Sequence, residues 1–109
     1  MQLLSFPFQT LDWQTIEPVI HKGETGFAIW KVFMMNTTRI RLVEYSPGYL
    51  ADHWCTKGHI IYCIKGQMET TLEDGRSYLL KTGMNYFVGD HNEPHQSKTT
   101  EGCTLFIVD

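Results

Sequence analysis

The sequence consists of short β-favouring segments separated by frequent turn signals, and this punctuation constrains the fold more than any other feature. The segments AIWKVFMM, HIIYCIKG and CTLFIVD are rich in β-branched and aromatic residues. Turn signals, among them Ser46-Pro47-Gly48, Asp74-Gly75 and Thr82-Gly83, recur along the chain at intervals of roughly 8 to 12 residues, which is typical of sandwiches and barrels. We therefore predict an all-β barrel or sandwich of about eight or nine strands rather than a parallel α/β sheet.

Individual segments carry more specific signals. In RIRLVEY the aliphatic side chains and the arginines fall on opposite faces of a strand. QMETTLEDG also alternates, and its Asp74-Gly75 pair predicts a hairpin into RSYLL. The best candidate for a helix is LDWQTIEPVI, which Pro18 limits to a turn or two. The composition does not shift along the chain, so we expect residues 1–109 to form a single domain.

Composition and charge argue against several classes of protein. The chain has a formal net charge of −3 and nine Lys and Arg without a basic run, so a nucleic-acid partner is not expected. No apolar segment approaches the ~20 residues of a membrane span, and the N-terminal segment lacks the pattern of a secretory signal. Three cysteines cannot all pair within one chain, which favours free thiols in a reducing compartment. We therefore expect a cytoplasmic protein with no membrane partner.

The segment GYLADHWCTKGHIIYCIKG places His53, Cys55 and His59 within seven residues. In a regular strand His53 and Cys55 share one face, and in the next strand His59 shares a face with Cys63. If Lys57-Gly58 forms the bend between the two strands, the three side chains converge. Imidazole and thiolate suit zinc, iron, nickel or copper rather than magnesium or calcium. The alternative is that they are ordinary strand and turn residues, because a cysteine is more often a small buried apolar residue.

The same segment resembles the first motif of the cupin superfamily. In cupins this motif contains a glycine, then His-x-His, a glutamate and a second glycine. The matching positions here are Gly48, His53, Cys55, His59 and Gly66. A cysteine thus replaces the second histidine, and a histidine replaces the glutamate.

Two further stretches support the resemblance. The second cupin motif is matched more loosely, by Gly83 and by Pro94-His95 after a short strand. Pro94 holds the backbone extended ahead of His95. Within the superfamily, the sequence 52–55 (Asp-His-Trp-Cys) resembles a small group called the DHCW-motif cupins.

The resemblance implies a double-stranded β-helix, or jelly-roll barrel, with a metal site inside its mouth. The metal ligands would be His53, Cys55, His59 and His95. Four protein ligands suit tetrahedral zinc but close its coordination shell, whereas iron, nickel or copper can accept further ligands and stay open to substrate. Small cupins commonly pair through their sheets, so the resemblance also implies a homodimer.

Three functional hypotheses remain open from the sequence. The first is a metal-dependent enzyme acting on a small polar molecule, such as an oxygenase or isomerase. The second is a non-catalytic module that binds a small molecule or a metal. The third is thiol chemistry without metal, in which His53 or His59 activates Cys55 as a nucleophile. The sequence identifies neither the catalytic residues nor the small-molecule ligand.

Overall fold

The structure is a computed structural model and describes residues 5–109. A single 3-10 turn at Trp13–Thr15 precedes eight β-strands in this part of the chain. The strands are β1 (Val19–Lys22), β2 (Phe27–Met35), β3 (Thr38–Tyr45), β4 (His59–Leu72), β5 (Ser77–Lys81), β6 (Asn85–Val88), β7 (His95–Lys98) and β8 (Cys103–Val108).

All strand pairs are antiparallel, and β4 connects two groups of strands. Its first half pairs with β8 and β6, and β8 continues through β3 and β2 to β1. Its second half pairs with β5 on one edge and β7 on the other. The prediction of an all-β jelly roll is confirmed. The predicted hairpin at Asp74-Gly75 joins β4 to β5, and LDWQTIEPVI contains only the short 3-10 turn.

Gly66 lies where β4 passes from one group of strands to the other. The register against β8 shifts between Cys63 and Lys65, which marks a bulge. Gly66 follows with a φ of 81°, and a Cβ atom there would lie 2.4 Å from the carbonyl oxygen of Gly102. The sequence predicted a strand that ends at Gly66, but β4 continues to Leu72 because glycine accepts both the left-handed backbone and the close approach.

The inward faces of β4 and β8 form much of the core. In β4, His59, Ile61 and Cys63 alternate with exposed residues, so the predicted shared face of His59 and Cys63 is confirmed. In β8, Leu105 and Ile107 point inward in the same way and are at most 1% exposed. His59 is therefore placed on the inner wall of the barrel by the period-two alternation of a strand.

The inner face of β3 combines apolar and charged residues. Val43 is fully buried, and Arg41, on the same face two residues earlier, is only 5% exposed. Arg39, also on this face, is partly exposed. The arginine face of this strand thus points into the barrel, and Asp109 lies there to receive both guanidinium groups. No helix among residues 5–109 has the length and apolar character needed to cross a bilayer.

Candidate metal centre

The fold brings Cys55 and His59, which are four residues apart in sequence, together with the distant His95. His59 begins β4 and His95 begins β7. Cys55 lies in the loop before β4 and pairs with His95 through two backbone hydrogen bonds, of 2.7 and 3.0 Å. The predicted strand around His53 and Cys55 is absent from the described structure, and Cys55 is held by β7 instead of by a neighbouring hairpin. The expected convergence of Cys55 with His59 nevertheless occurs.

The donor atoms of Cys55, His59 and His95 all lie within 4.8 Å of one another. The Cys55 sulfur is 3.3 Å from Nε2 of His59. The rings of His59 and His95 meet edge to face, with centroids 5.1 Å apart. A tetrahedral zinc ion holds a sulfur and a nitrogen ligand about 3.5 Å apart, given its bond lengths to each. The sulfur–nitrogen separation is close to that value, so the residues fit a transition-metal ion.

Asp109 orients the ring of His59. Its carboxylate accepts a hydrogen bond from Nδ1 of His59 at 2.8 Å, which leaves Nε2 directed toward Cys55. Arg39 and Arg41 donate to the same carboxylate, whose side chain is fully buried. Burial alone would raise the pKa of Asp109, but hydrogen bonds from His59 and Arg39 hold it well below the ordinary value. A buried carboxylate thus supports one imidazole, as is common behind metal-bound histidines.

The ring of His95 is fixed in a similar way by the backbone. Its Nδ1 lies 2.9 Å from the carbonyl oxygen of Glu93 and donates to it when protonated there. Its Nε2 is buried and forms no regular hydrogen bond with any residue in 5–109, although it lies near the Cys55 sulfur. A buried nitrogen without a partner is costly, and a metal ion at this position would satisfy it.

His53 lies apart from the cluster of three donors, at the rim of the cavity that they line. Its side chain is 70% exposed, and its Nδ1 lies 2.6 Å from the carboxylate of Asp52. In a regular strand the adjacent side chains of Asp52 and His53 would point to opposite faces. The irregular backbone permits this contact, which leaves Nε2 of His53 as the available donor.

The surroundings of Cys55 favour its thiolate form. Burial alone would raise the pKa of Cys55, but the imidazoles of His59 and His95 lower it to about 5. For His59 the effects have the opposite sign. Burial alone would lower its pKa, but hydrogen bonding to Asp109 and Cys55 raises it above the ordinary value. The thiolate is the form of cysteine that binds metals and attacks electrophiles, so it is available at neutral pH.

The donors line a cavity of about 110 Å³. Its other walls carry two partly or fully buried arginines, one tryptophan and several hydroxyl groups. They include Trp30, Arg39, Arg41, Tyr45, Tyr49, Tyr86 and Ser97. Burial raises the pKa of Tyr86 to about 12, so its hydroxyl stays protonated at neutral pH.

A larger hollow of about 590 Å³ lies elsewhere around Lys57, Phe87 and Asp90. It is lined by His59 and Asp109 but not by Cys55 or His95, whereas the smaller cavity is lined by all three donors.

Comparisons with known proteins place the fold in context. No protein-family profile matches the chain, and no curated protein matches it in sequence. Ectoine synthase from P. lautus superposes with a TM-score of 0.75 at 17% identity, covering 93% of this chain and 76% of that one. A sugar phosphate isomerase from a cupin superfamily, from Silicibacter pomeroyi, gives 0.71 at 14% identity over 92% and 74%. A cupin-2 domain protein from Shewanella frigidimarina gives 0.58 at 17% identity over 73% and 78%.

These similarities confirm the cupin resemblance at the level of the fold: the chain has a cupin fold. The resemblance to the DHCW-motif group remains an expectation from the sequence alone.

The residues that surround the donors were not predicted from the sequence. Asp52, Asp90 and Glu93 were the acidic residues nearest in sequence to the histidines, but Asp109 is the carboxylate behind His59. Arg41 was placed on a strand face whose direction the alternation could not specify. Arg41 can be buried because it pairs with Asp109. The two residues are 68 positions apart in the sequence, so a local pattern does not reveal the pair.

Proposed function

We propose that this protein binds one divalent transition-metal ion through Cys55, His59, His95 and His53. The observation that carries the proposal is the convergence of the Cys55, His59 and His95 donor atoms within 4.8 Å. In His53 and His59 a carboxylate lies against Nδ1, and in His95 a carbonyl oxygen does. Each histidine therefore keeps Nε2 available for the ion, which is the usual arrangement of a metal site.

The donor set limits the identity of the metal. Thiolate and imidazole favour zinc, iron, nickel or copper, and no cluster of carboxylates of the kind that magnesium or calcium prefers accompanies the donors among residues 5–109. His53 is exposed and at the rim, so it is the ligand most readily exchanged for solvent or substrate. With His53 displaced, three ligands would remain and one position would open, as in catalytic zinc sites.

We propose that the metal supports an enzymatic reaction on a small polar molecule. A bound metal would supply Lewis-acid or redox chemistry. The chain would contribute a polar cavity lined by two arginines and by Tyr86. Ectoine synthase and the sugar phosphate isomerase, which share this fold, are enzymes, and this is compatible with such a role. The second candidate is a non-catalytic module, which four fixed ligands and a closed coordination shell would favour.

We also propose a cytoplasmic homodimer. Ile60, Tyr62 and Ile64 are each about 40% exposed on the outer face of β4, and Phe87 on the adjacent β6 is 71% exposed. A row of exposed apolar side chains on one sheet is typical of an interface between subunits. Sedimentation equilibrium of the wild-type protein and of Ile60→Glu tests this part separately from the metal site.

Metal analysis of the purified protein tests the proposed site. We expect close to one equivalent of a transition metal per chain in the wild type and a large loss in Cys55→Ser and His59→Ala. His91→Asn is the matched control, since His91 is an exposed loop residue with a φ of 59° that asparagine tolerates. Equal metal content in all four proteins would contradict the site.

A visible spectrum and substrate screening separate the two candidate functions. A thiolate-to-metal charge-transfer band that is lost in Cys55→Ser would place iron, nickel or copper on the sulfur, whereas a colourless stoichiometric complex would indicate zinc. Turnover of a small molecule that depends on metal and disappears in His59→Ala would establish an enzyme. Tight metal binding with a shell that excludes azide and other small anions would favour the non-catalytic module.

A further inference from the structure

The cavity beside the metal ligands is also lined by buried hydrogen-bond donors that the metal site does not use. Trp30 and Arg41 line the cavity together with Cys55, His59 and His95. Arg41 is 5% exposed and lies on the inward face of β3. The two groups of residues therefore face one small volume from different strands.

Arg41 has unused capacity to bind an acceptor. One terminal nitrogen donates to Asp109 at 2.8 Å, but the buried Nε–H has no hydrogen-bond partner within the described chain. An arginine side chain has only donors and stays charged in proteins. A buried charged N–H without an acceptor is strongly disfavoured, and an acceptor that entered the cavity lined by Arg41 would relieve this cost.

Trp30 supplies a second unused donor. Its indole Nε1–H is buried and is likewise unpaired among residues 5–109. The guanidinium carbon of Arg41 lies 4.4 Å from the centroid of the Trp30 ring, and that of Arg39 lies 5.3 Å from it. His21 stacks on the ring at 3.9 Å. Stacking and cation–π contacts hold the indole in place, so its N–H is a fixed donor.

The charges around the cavity favour an anion. Arg39 and Arg41 contribute two positive charges, and Asp109 contributes the one carboxylate that pairs with both. Arg41 and Asp109 are buried and Arg39 is 27% exposed, so these three side chains leave one positive charge in excess, which an anion in the cavity would offset.

We infer that the cavity binds a small organic acid whose carboxylate accepts hydrogen bonds from Arg41 Nε and Trp30 Nε1. A carboxylate offers two acceptor oxygen atoms, one for each of the two unused N–H donors. The volume of about 110 Å³ is below the roughly 150 Å³ of a cavity that accommodates benzene, so the buried part of the acid has about six non-hydrogen atoms or fewer. This inference deepens the proposed function, and it rests on that function only where it assumes a metal ion in the same cavity. The hydrogen bonds from Arg41 and Trp30 to the acid do not require the metal.

Binding of propionate to the metal-free protein tests this inference without requiring turnover. Isothermal titration calorimetry and quenching of tryptophan fluorescence measure the affinity of the chelator-treated wild type for propionate, propionamide and inorganic phosphate. We expect propionate to bind at least tenfold more tightly than propionamide, since the amide lacks the charge, and more tightly than phosphate. Equal affinity for the acid and the amide, or tighter binding of phosphate, would overturn the carboxylate site.

Variants identify the residues that bind the acid. Arg41→Lys keeps a positive charge but removes Nε, and Trp30→Phe keeps an aromatic ring but removes the indole N–H. We expect each to weaken propionate binding by about tenfold, whereas Trp13→Phe has no effect, because Trp13 packs against Phe106 outside the cavity. If Arg41→Lys fails to fold, Trp30→Phe still decides the outcome. Propionate binding that is unchanged in both folded variants would overturn the inference.

Cys55→Ser separates this site from the metal site. It removes a proposed metal ligand and leaves Arg41 and Trp30 in place. We expect it to lose metal while its affinity for propionate stays within about twofold of the metal-free wild type. Loss of metal with retained propionate binding supports both sites. Retained metal contradicts the proposed function alone, and absent propionate binding in a metal-free wild type contradicts the acid site alone.

Discussion

The carboxylate of Asp109 accepts a hydrogen bond from Nδ1 of His59 at 2.8 Å, and this contact determines which nitrogen of the imidazole faces Cys55. The same carboxylate receives Arg39 and Arg41. One buried group therefore couples the orientation of a proposed metal ligand to the charged wall of the cavity.

Asp109→Asn is expected to weaken metal binding without removing a ligand. Partners behind a metal-bound histidine typically contribute about 10- to 100-fold in affinity, and we expect a loss in that range. Competition against a chromogenic chelator measures it. Urea unfolding should also show a loss of about 3–5 kcal/mol, because two arginines lose their buried partner.

Asp74→Asn is the matched control for this experiment, since Asp74 is exposed in the hairpin between β4 and β5. Its metal affinity should equal that of the wild type. A folded Asp109→Asn protein with unchanged metal affinity would show that Asp109 does not act through His59.

Cys55 is expected to react with iodoacetamide as a thiolate well below neutral pH. In metal-free protein, the rate of alkylation should rise with a midpoint near the pKa of about 5. Cys63 and Cys103 are buried and their pKa values are raised, so they should not react on this timescale. Mass spectrometry of peptides locates the label, and Cys55→Ser should lose the fast phase. A midpoint near 8.5, the value of an ordinary thiol, would contradict the proposed environment.

The same pKa shift predicts a pH dependence of folding stability. The folded-state pKa of Cys55 lies below its unfolded value of about 8.5, so the thiolate contributes stability at pH values above 8.5. That contribution decreases as the pH falls toward about 5 and is absent below it. The difference in unfolding free energy between wild type and Cys55→Ser, both without metal, should therefore shrink between pH 8 and pH 5. A difference that grows on acidification would have the wrong sign.

Gly66→Ala is expected to destabilise the protein more than Gly83→Ala. Both glycines have φ values above 80°, so alanine at either position costs about 1–2 kcal/mol in backbone conformation. A Cβ atom at Gly83 would meet no atom within 4 Å, but at Gly66 it would lie 2.4 Å from a carbonyl oxygen of Gly102. The excess destabilisation of Gly66→Ala in urea unfolding therefore measures the close approach. Equal destabilisation of the two variants would mean that the backbone around Gly66 shifts without cost to admit the added methyl group.

His53→Ala is expected to weaken metal binding less than His59→Ala. His53 is 70% exposed at the rim, whereas His59 is buried and oriented by Asp109. We expect a loss of affinity in His53→Ala with one metal still bound, and loss of the bound metal in His59→Ala. Metal titration with an independent count of bound ions distinguishes the two. If His53→Ala binds metal as tightly as the wild type, His53 is not a ligand.

Much of the fold followed from local signals in the sequence. Strand segments, the Asp74-Gly75 hairpin and the limit that Pro18 sets on a helix depend on neighbouring residues, and the structure agrees with them. The continuation of β4 through Gly66 could not be foreseen, because it depends on the approach of Gly102 from a distant turn.

The donors of the site were easier to predict than their supports. Cys55 and His59 are close in sequence, and the resemblance to cupins added His95. Their backbone setting was wrong in part, because Cys55 lies in a loop paired with His95 and not in a regular strand. The roles of Asp109 and Arg41 depend on contacts across most of the chain length, and no local pattern encodes them.

The pairing of Cys55 with His95 also has a kinetic consequence. The donors come from a loop, from the start of β4 and from the start of β7, and Asp109 follows the end of β8, so no isolated hairpin contains a complete site. Long-range contacts of this kind form late and slowly in folding. The rate of metal uptake during refolding would therefore report the rate at which the barrel closes. An ion that binds only the closed form would stabilise that form by mass action.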